Sequence, residues 1–360
     1  MALSWPEVLA RLSRREPLTL SEAEETMGVV FAGEATPAQI GAFLTLLHAK
    51  GETAEEVTGL ARAMIAAAVP CPLGVEDGPG PGSGPVVVDL VGTGGDRLAS
   101  INVTTLAAFI VAGCGVPVCK HGNRAASSSV GTADVLEALG VAIELGPEGV
   151  ARCVAEAGMG FCFAQRFHPA MRFVGPVRKE LGVPTVFNFL GPLTNPARIR
   201  HQLVGVSDAD VGPVMAGVFG ATGSRHTMIV HADDGLDELS VTSPSSVLEV
   251  RGDGTGEFEV RDWRLDPASL GFAPATMDDL RGGDAAFNAG VIRTVLERER
   301  GPRRDIGVLN AAAALVVADR VDDLEAGLVL AVESVESGRA LGVLDALVAT
   351  SQAALRQQTD

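Results

Sequence analysis

An α/β chain is what the sequence predicts, a small N-terminal helical domain followed by a large domain with a central, mostly parallel sheet. Three observations carry that expectation. Residues 4–66 hold four successive helix-start signatures with apolar residues spaced three and four apart; a stretch rich in glycine and proline then breaks the chain; beyond it, short β-branched runs alternate with helix-period segments, as parallel strands joined by helical crossovers do.

The helix starts are Ser4 with Glu7, Ser21 with Glu24, Thr36 with Gln39 and Thr53 with Glu56, each spaced as a capping box, and Pro37 takes the first helical position behind Thr36. The apolar sets behind them include Val8 and Leu12, Met27 and Val30, Phe43 and Leu47, and Leu60 and Met64. Helices this short persist only when a face is buried. Residues 1–70 are therefore expected to pack on one another, on the main body and on a second copy of the chain. Residues 71–85, centred on the run Gly78 to Gly84, form a linker. The large domain spans 86–360, apart from an excursion over about 168–196. There a helical pattern through Met171, Val174 and Leu181 is interrupted by Gly175 and Pro176, and Pro184, Pro192 and Pro196 punctuate the next stretch, so the chain is expected to rejoin the helical domain. Strands are predicted at Val86 to Val91, Val116 to Cys119, Phe161 to Phe163, Leu203 to Val206 and Met228 to Val230, with peripheral strands around Phe258 to Trp263. Helical patterns return after Asp284, and Gln357 to Asp360 reads as a frayed end.

The first of these strands delivers a loop, Gly92, Thr93, Gly94, Gly95 and Asp96. Glycines there permit positive φ or close backbone approach, and amide N–H groups in such a turn can face phosphate oxygens. Ser100, Asn102, Val103, Thr104 and Thr105 then open a helix whose first N–H groups lack partners. Alone, this serves a tight strand-to-helix turn equally well. The second strand ends in Lys120, His121, Gly122, Asn123, Arg124, Ala125, Ala126, Ser127 and Ser128. Two cations, an amide and hydroxyls at a second strand end shift the balance, because ligands of open α/β sheets bind at the carboxyl ends of strands. Asp237 and Glu238 offer hard oxygen donors suited to Mg²⁺; a solvated acidic turn is the plain alternative, and the phosphate loops favour the metal.

The chain has a formal charge of −17 with 47% hydrophobic and 20% charged residues over 360 positions. That balance argues against general nucleic-acid binding, so an anionic substrate needs local bases and a metal. No stretch is apolar for long enough to span a bilayer and no signal-peptide pattern opens the chain, which makes the cytoplasm the expected location. Five cysteines without a CxxC read as core thiols.

GTGGD at Gly92 to Asp96, NVTT at Asn102 to Thr105, KHGNRAASS at Lys120 to Ser128, VRKELG from Val177, FNFLGPLTNP from Phe187 and DGLDE at Asp234 to Glu238 run in order along nearly the whole chain. Together they resemble the anthranilate phosphoribosyltransferase family. The resemblance implies a nucleoside phosphorylase/phosphoribosyltransferase-like architecture, a homodimer through the helical domains, and a Mg²⁺-dependent pentosyltransferase of tryptophan biosynthesis whose substrates are anthranilate and 5-phosphoribosyl 1-diphosphate. It further implies that Gly92, Gly95, Asp96, Ser100, Asn102 to Thr105, Lys120 to Ser128 and Thr132 hold the phosphorylated ribose and diphosphate. By the same resemblance Gly92, Asn123, His168 and Arg178 hold anthranilate, and Thr104, Asp237 and Glu238 hold the metal. Arg97 and Thr104 depart from the family pattern, which often has glycine and serine there. A pyrimidine nucleoside phosphorylase resembles the family in fold and loop, but its serine and lysine base-recognition pattern is not evident here, and Arg178 with Asp237 and Glu238 favours the transferase; a catalytically silent scaffold would bind the diphosphate sugar without turnover.

Overall fold

The computed structural model describes residues 4–73, 86–96, 98–125 and 130–359. Four helices open the chain: α1 (Trp5–Ser13), α2 (Leu20–Phe31), α3 (Pro37–Lys50) and α4 (Ala54–Ala66). Three start where expected: Thr36 and Thr53 close reciprocal capping boxes, and at Ser4 the backbone N–H and the hydroxyl both donate to Glu7. The second does not. Thr19 caps α2 with Glu22, two residues ahead of the Ser21 and Glu24 pair, because buried Leu18 fixes the entry to the helix and donates its N–H to Glu56 Oε1 at 3.0 Å. Glu56 also closes the box of α4 and pairs with Lys50 Nζ at 2.7 Å in a buried position.

The sheet has seven strands: β1 (Val88–Gly92), β2 (Val118–Gly122), β3 (Met159–Phe163), β4 (His201–Gly205), β5 (His226–Ala232), β6 (Ser245–Gly252) and β7 (Phe258–Leu265), in the order β3-β2-β1-β4-β5-β6-β7. The first five are parallel; β6 and β7 extend the sheet antiparallel as a hairpin. Strand order reverses about β1, which has β2 on one side and β4 on the other, so the carboxyl ends of β1, β2 and β4 open a crevice at a topological switch point. One apolar core fills the face covered by α5 (Val103–Gly113), the helix Pro302–Val317 and the C-terminal helix Arg339–Thr359. A second core joins α1–α4 to Val174, Val177, Val186, Phe187 and Leu190 from the excursion and to Val204, Val206 and Ile229 on the other face of the sheet.

Two local expectations change. Gly175 and Pro176 start the helix Gly175–Leu181 rather than interrupt one, since proline suits a first turn whose N–H groups have no partners; a 3₁₀ turn, Pro169–Phe173, precedes it. The chain end is helical through Thr359 instead of fraying at Gln357, because Gln358 accepts from Gly146 N at 2.8 Å and Gln357 accepts from Arg152. Most of the expected linker, residues 74–85, lies outside the described residues, as do Arg97, Ala126, Ser127, Ser128 and Asp360. No helix among the described residues is long and apolar enough to cross a membrane.

Candidate active site

The loops after β1 and β2 face one another across a cleft of about 250 Å³, lined by Gly92 to Asp96, Ser100 to Thr104, Lys120 to Ala125, Thr132, Asp237, Glu238 and Asn288. Gly94 and Gly95 have φ of +67° and +86°, the left-handed backbone that favours glycine. Gly94 donates its N–H to Asp237 Oδ2 at 2.7 Å, and Thr93 and Ser207 tie the same loop to the end of β4. Gly92 and Gly205 have a different task. A Cβ on either would collide with Asp237, so the two bare strand ends are what let the acidic turn lie flat against the sheet.

Lys120 is the cation at the centre. Only 1% exposed, it donates to the Leu90 carbonyl and, at 3.0 Å, to Thr104 Oγ1. Burial lowers its pKa, while the charges of Asp89, Glu238 and Asp237 act to keep it protonated. Asp89, in the middle of β1, accepts from His121 N at 3.2 Å and from Asn195 Nδ2 at 2.9 Å, which ties the FNFLGPLTNP segment to the strand beneath the loop. Burial lifts the Asp89 pKa to about 6 against the pull of Lys120.

The acidic pair is uncomfortable as it stands. Burial and then repulsion by Asp96 raise Asp237 to about 6, and burial and then Asp237 raise Glu238 well above the usual carboxylate range. Two buried carboxylates beside a third are a demand for positive charge, and their oxygens are the hard donors Mg²⁺ accepts. No three His, Cys, Asp or Glu side chains among the described residues converge into a cage of their own. Thr104 is the least open of the predicted metal residues, because its oxygen already accepts from Lys120.

Other predicted residues lie off the cleft wall or turn their polar groups away from it. Thr105 is fully buried, off the cleft wall, with no partner for its hydroxyl among the described residues. Arg124 spends its guanidinium on Asp134, at 2.9 Å, and on Glu137, bracing the helix that Thr132 opens. His168 is 3% exposed and packs beside His121 with ring centroids 5.1 Å apart. Burial and the neighbouring imidazole push His121 down to about 3, and burial brings His168 to about 4, so both rings are neutral near pH 7. Arg178 lies with its guanidinium 5.3 Å from the centre of the Phe187 ring; neither it nor His168 is on the cleft wall, although His168 packs against His121, which is. Asn288 is a cleft residue that the sequence motifs did not reveal. A larger cleft of about 410 Å³, lined by Arg62, Arg198 and Arg200, opens at the amino end of β4 and contains no predicted substrate residue.

Two family models cover most of the chain: the helical bundle domain of a glycosyl transferase family matches residues 6–68, and its a/b domain matches residues 84–341. An anthranilate phosphoribosyltransferase of Thermomicrobium roseum is 50% identical over 346 residues, covering 96% of this chain and 97% of that protein. The chain belongs to the anthranilate phosphoribosyltransferase family. The Salinispora arenicola anthranilate phosphoribosyltransferase is 51% identical, with 97% of each chain covered. Among solved structures, the family member from Thermus thermophilus aligns with a TM-score of 0.86 at 40% identity, over 96% of this chain and 99% of that one. The Saccharomyces cerevisiae enzyme in complex with PRPP and Mg aligns at 0.84 and 25% identity, over 97% and 98%.

Proposed function

We propose that this chain transfers the 5-phosphoribosyl group of 5-phosphoribosyl 1-diphosphate to the amine of anthranilate and releases diphosphate, using Mg²⁺. The observation that supports it best is a single cleft in which a buried lysine, two glycine-rich strand ends and two cation-seeking carboxylates meet. Bond cleavage leaves positive charge on the ribose and negative charge on the departing diphosphate. Lys120 and the loop amides are assigned to that developing negative charge, and preorganised donors in a site shielded from water are worth most there. Asp237 and Glu238 are assigned to Mg²⁺, which when bound supplies charge neutralisation to the diphosphate. Gly92, Gly95, Asp96, Ser100 and Asn102 would hold the diphosphate sugar, with Val103, Thr104 and Thr132 completing the wall.

Anthranilate's amine is neutral near pH 7, so placement on the ribose matters more than a strong base. Asn123, neutral His168 and Arg178 are assigned to that side, with the Arg178 fork suited to a carboxylate. Since neither Arg178 nor His168 lines the cleft, the excursion that carries them is the part expected to move inward with substrate. We assign residues 1–70 and about 168–196 to a helical domain that also pairs two copies of the chain, and the protein to the cytoplasm. Replacing Lys120 with Met tests the reading at its centre: the folded variant should bind the diphosphate sugar weakly and turn over at least about a hundredfold more slowly. Near-normal turnover would remove the lysine from the chemistry. Sedimentation at assay concentration should give a dimer, and a monomer throughout would contradict the pairing.

A further inference from the structure

Asn102 occupies the N-cap position of α5, a place where asparagine ordinarily turns its side chain back onto the helix N–H groups. Here it makes no such bond. Its Oδ1 instead accepts from Asn288 Nδ2 at 2.9 Å, from a residue 186 positions away that is 2% exposed and also lines the cleft. Asn288 in turn has no choice of orientation, because its Oδ1 accepts from Gly283 N at 2.8 Å. The segment that carries it is itself fastened to the loop: Ile101 N donates to the Leu280 carbonyl at 3.0 Å, Gly282 N donates to Ala99 O at 2.8 Å, and Ser100 and Arg281 form an antiparallel bridge.

We propose that Asn288 is a positioning residue for the diphosphate sugar, acting through Asn102. The chain of bonds runs one way, from Gly283 N–H to Asn288 Oδ1, then from Asn288 Nδ2 to Asn102 Oδ1. With its oxygen taken, Asn102 has only its NH₂ left to offer. An amide has two faces of opposite polarity, and an anion needs the donor face. Asn288 thus selects the amide rotamer that donates into the cleft. The inference rests on Asn102 belonging to the phosphoribosyl diphosphate site, as assigned above.

The test is the affinity of the intact protein for 5-phosphoribosyl 1-diphosphate with Mg²⁺, measured calorimetrically for wild type, Asn102→Ala, Asn288→Ala, Asn288→Asp and the double alanine variant, with the anthranilate KM and melting temperature recorded for each. Asn288→Ala should weaken binding about tenfold, the effect of losing one hydrogen bond to a charged group, with the anthranilate KM within about twofold of wild type. Asn288→Asp has the same shape and keeps the bond from Gly283. Its second oxygen would draw the Asn102 NH₂ toward itself and turn the Asn102 oxygen to the cleft, so it should weaken binding at least as much as alanine and provides the reading if alanine fails to fold. Because both residues act through one amide, the double variant should bind within about twofold of Asn102→Ala. Wild-type affinity in Asn288→Ala and Asn288→Asp alongside a weakened Asn102→Ala would overturn the positioning role, as would losses that multiply in the double variant. Wild-type affinity in Asn102→Ala would instead show that the loop assignment beneath the proposal is wrong.

Discussion

Asp237→Asn separates what the acidic pair costs from what it does. Folding carries the Asp237 carboxyl from an ordinary value of 3.8 to about 6, mainly through burial and then the charge of Asp96. A folded pKa above the unfolded one means that the native state holds the extra proton between those values, so stability falls as pH rises from about 4 to about 6 and the whole penalty stands above that. A shift of about two pH units corresponds to about 3 kcal/mol. Asparagine removes the charge while its carbonyl oxygen can still accept from Gly94 N–H, a bond that loses about 1 kcal/mol when its acceptor is neutral. The net gain of about 2 kcal/mol, spread over the unfolding entropy of a chain this long, raises Tm by about 2–4 °C. The assay is thermal unfolding of both proteins without metal at pH 7.5 and pH 4.5, together with turnover against Mg²⁺ concentration at pH 7.5. The variant should melt higher at pH 7.5, lose most of that advantage at pH 4.5, and turn over at least about a hundredfold more slowly. A variant that melts lower at pH 7.5, or whose advantage is the same at both pH values, would show that the buried charge of Asp237 carries no such penalty.

Thr104→Val deletes the oxygen that accepts from Lys120 while nearly keeping the shape, so Mg²⁺ and phosphoribosyl diphosphate should be needed at about five- to tenfold higher concentration, with Thr104→Ser close to wild type; an unchanged titration for folded Thr104→Val would end any role for the hydroxyl. Arg178→Lys trades a planar fork for a point charge and should raise the anthranilate KM about tenfold while sparing phosphoribosyl diphosphate affinity, and equal kinetics would make Arg178 structural. Away from the cleft, Glu249 joins His226 at 3.0 Å, Arg251 and Trp263 to hold β5, β6 and β7 together, so Glu249→Gln should cost about 2–4 kcal/mol at pH 7 by denaturant unfolding. The His226 bond, followed by that of Arg251, outweighs burial and lowers Glu249 to about 2; its support is whole above 4.5 and disappears as pH falls through about 2. Burial lowers the His226 pKa but Asp319 and Glu249 more than offset this, so its share is whole below 6.5 and is lost as pH climbs through the raised value. A variant as stable as wild type at pH 7 would count against that network.

Local signals carried much of the fold. Ser4, Thr36 and Thr53 each need only a partner three residues on, and each helix starts there, with both halves of the box made at Thr36 and Thr53. The run TLSEAEE contains two such spacings, and what chooses Thr19 over Ser21 is the burial of Leu18 and the reach of Glu55 and Glu56 from α4 to the N–H groups of Leu20 and Leu18, which lies outside any window along the chain. Strand β6 begins with Ser245 and Ser246 and carries Glu249 and Arg251, so its apolar content is thin and only its pairing with β5 and β7 explains it. In the cleft, glycine and charge clustering marked the two loops and the acidic turn. Periodicity could not mark Asn288 inside a helix, or Gly205 beneath Asp237, because each is defined by what approaches it from elsewhere in the chain. Thr105 lies off the cleft wall for the converse reason: it sits in a polar run, but α5 turns it into the core.

Every role assigned in the cleft depends on bonds being made and broken at the ribose. The direct measurement supplies 5-phosphoribosyl 1-diphosphate and anthranilate, with and without Mg²⁺, and follows N-(5-phosphoribosyl)anthranilate and diphosphate together by chromatography. The expected result is one diphosphate for each product molecule, formation of both with Mg²⁺, and loss of both when the metal is removed by a chelator. Tight binding of the diphosphate sugar by folded protein, with neither product formed in the presence of anthranilate and Mg²⁺, would contradict it.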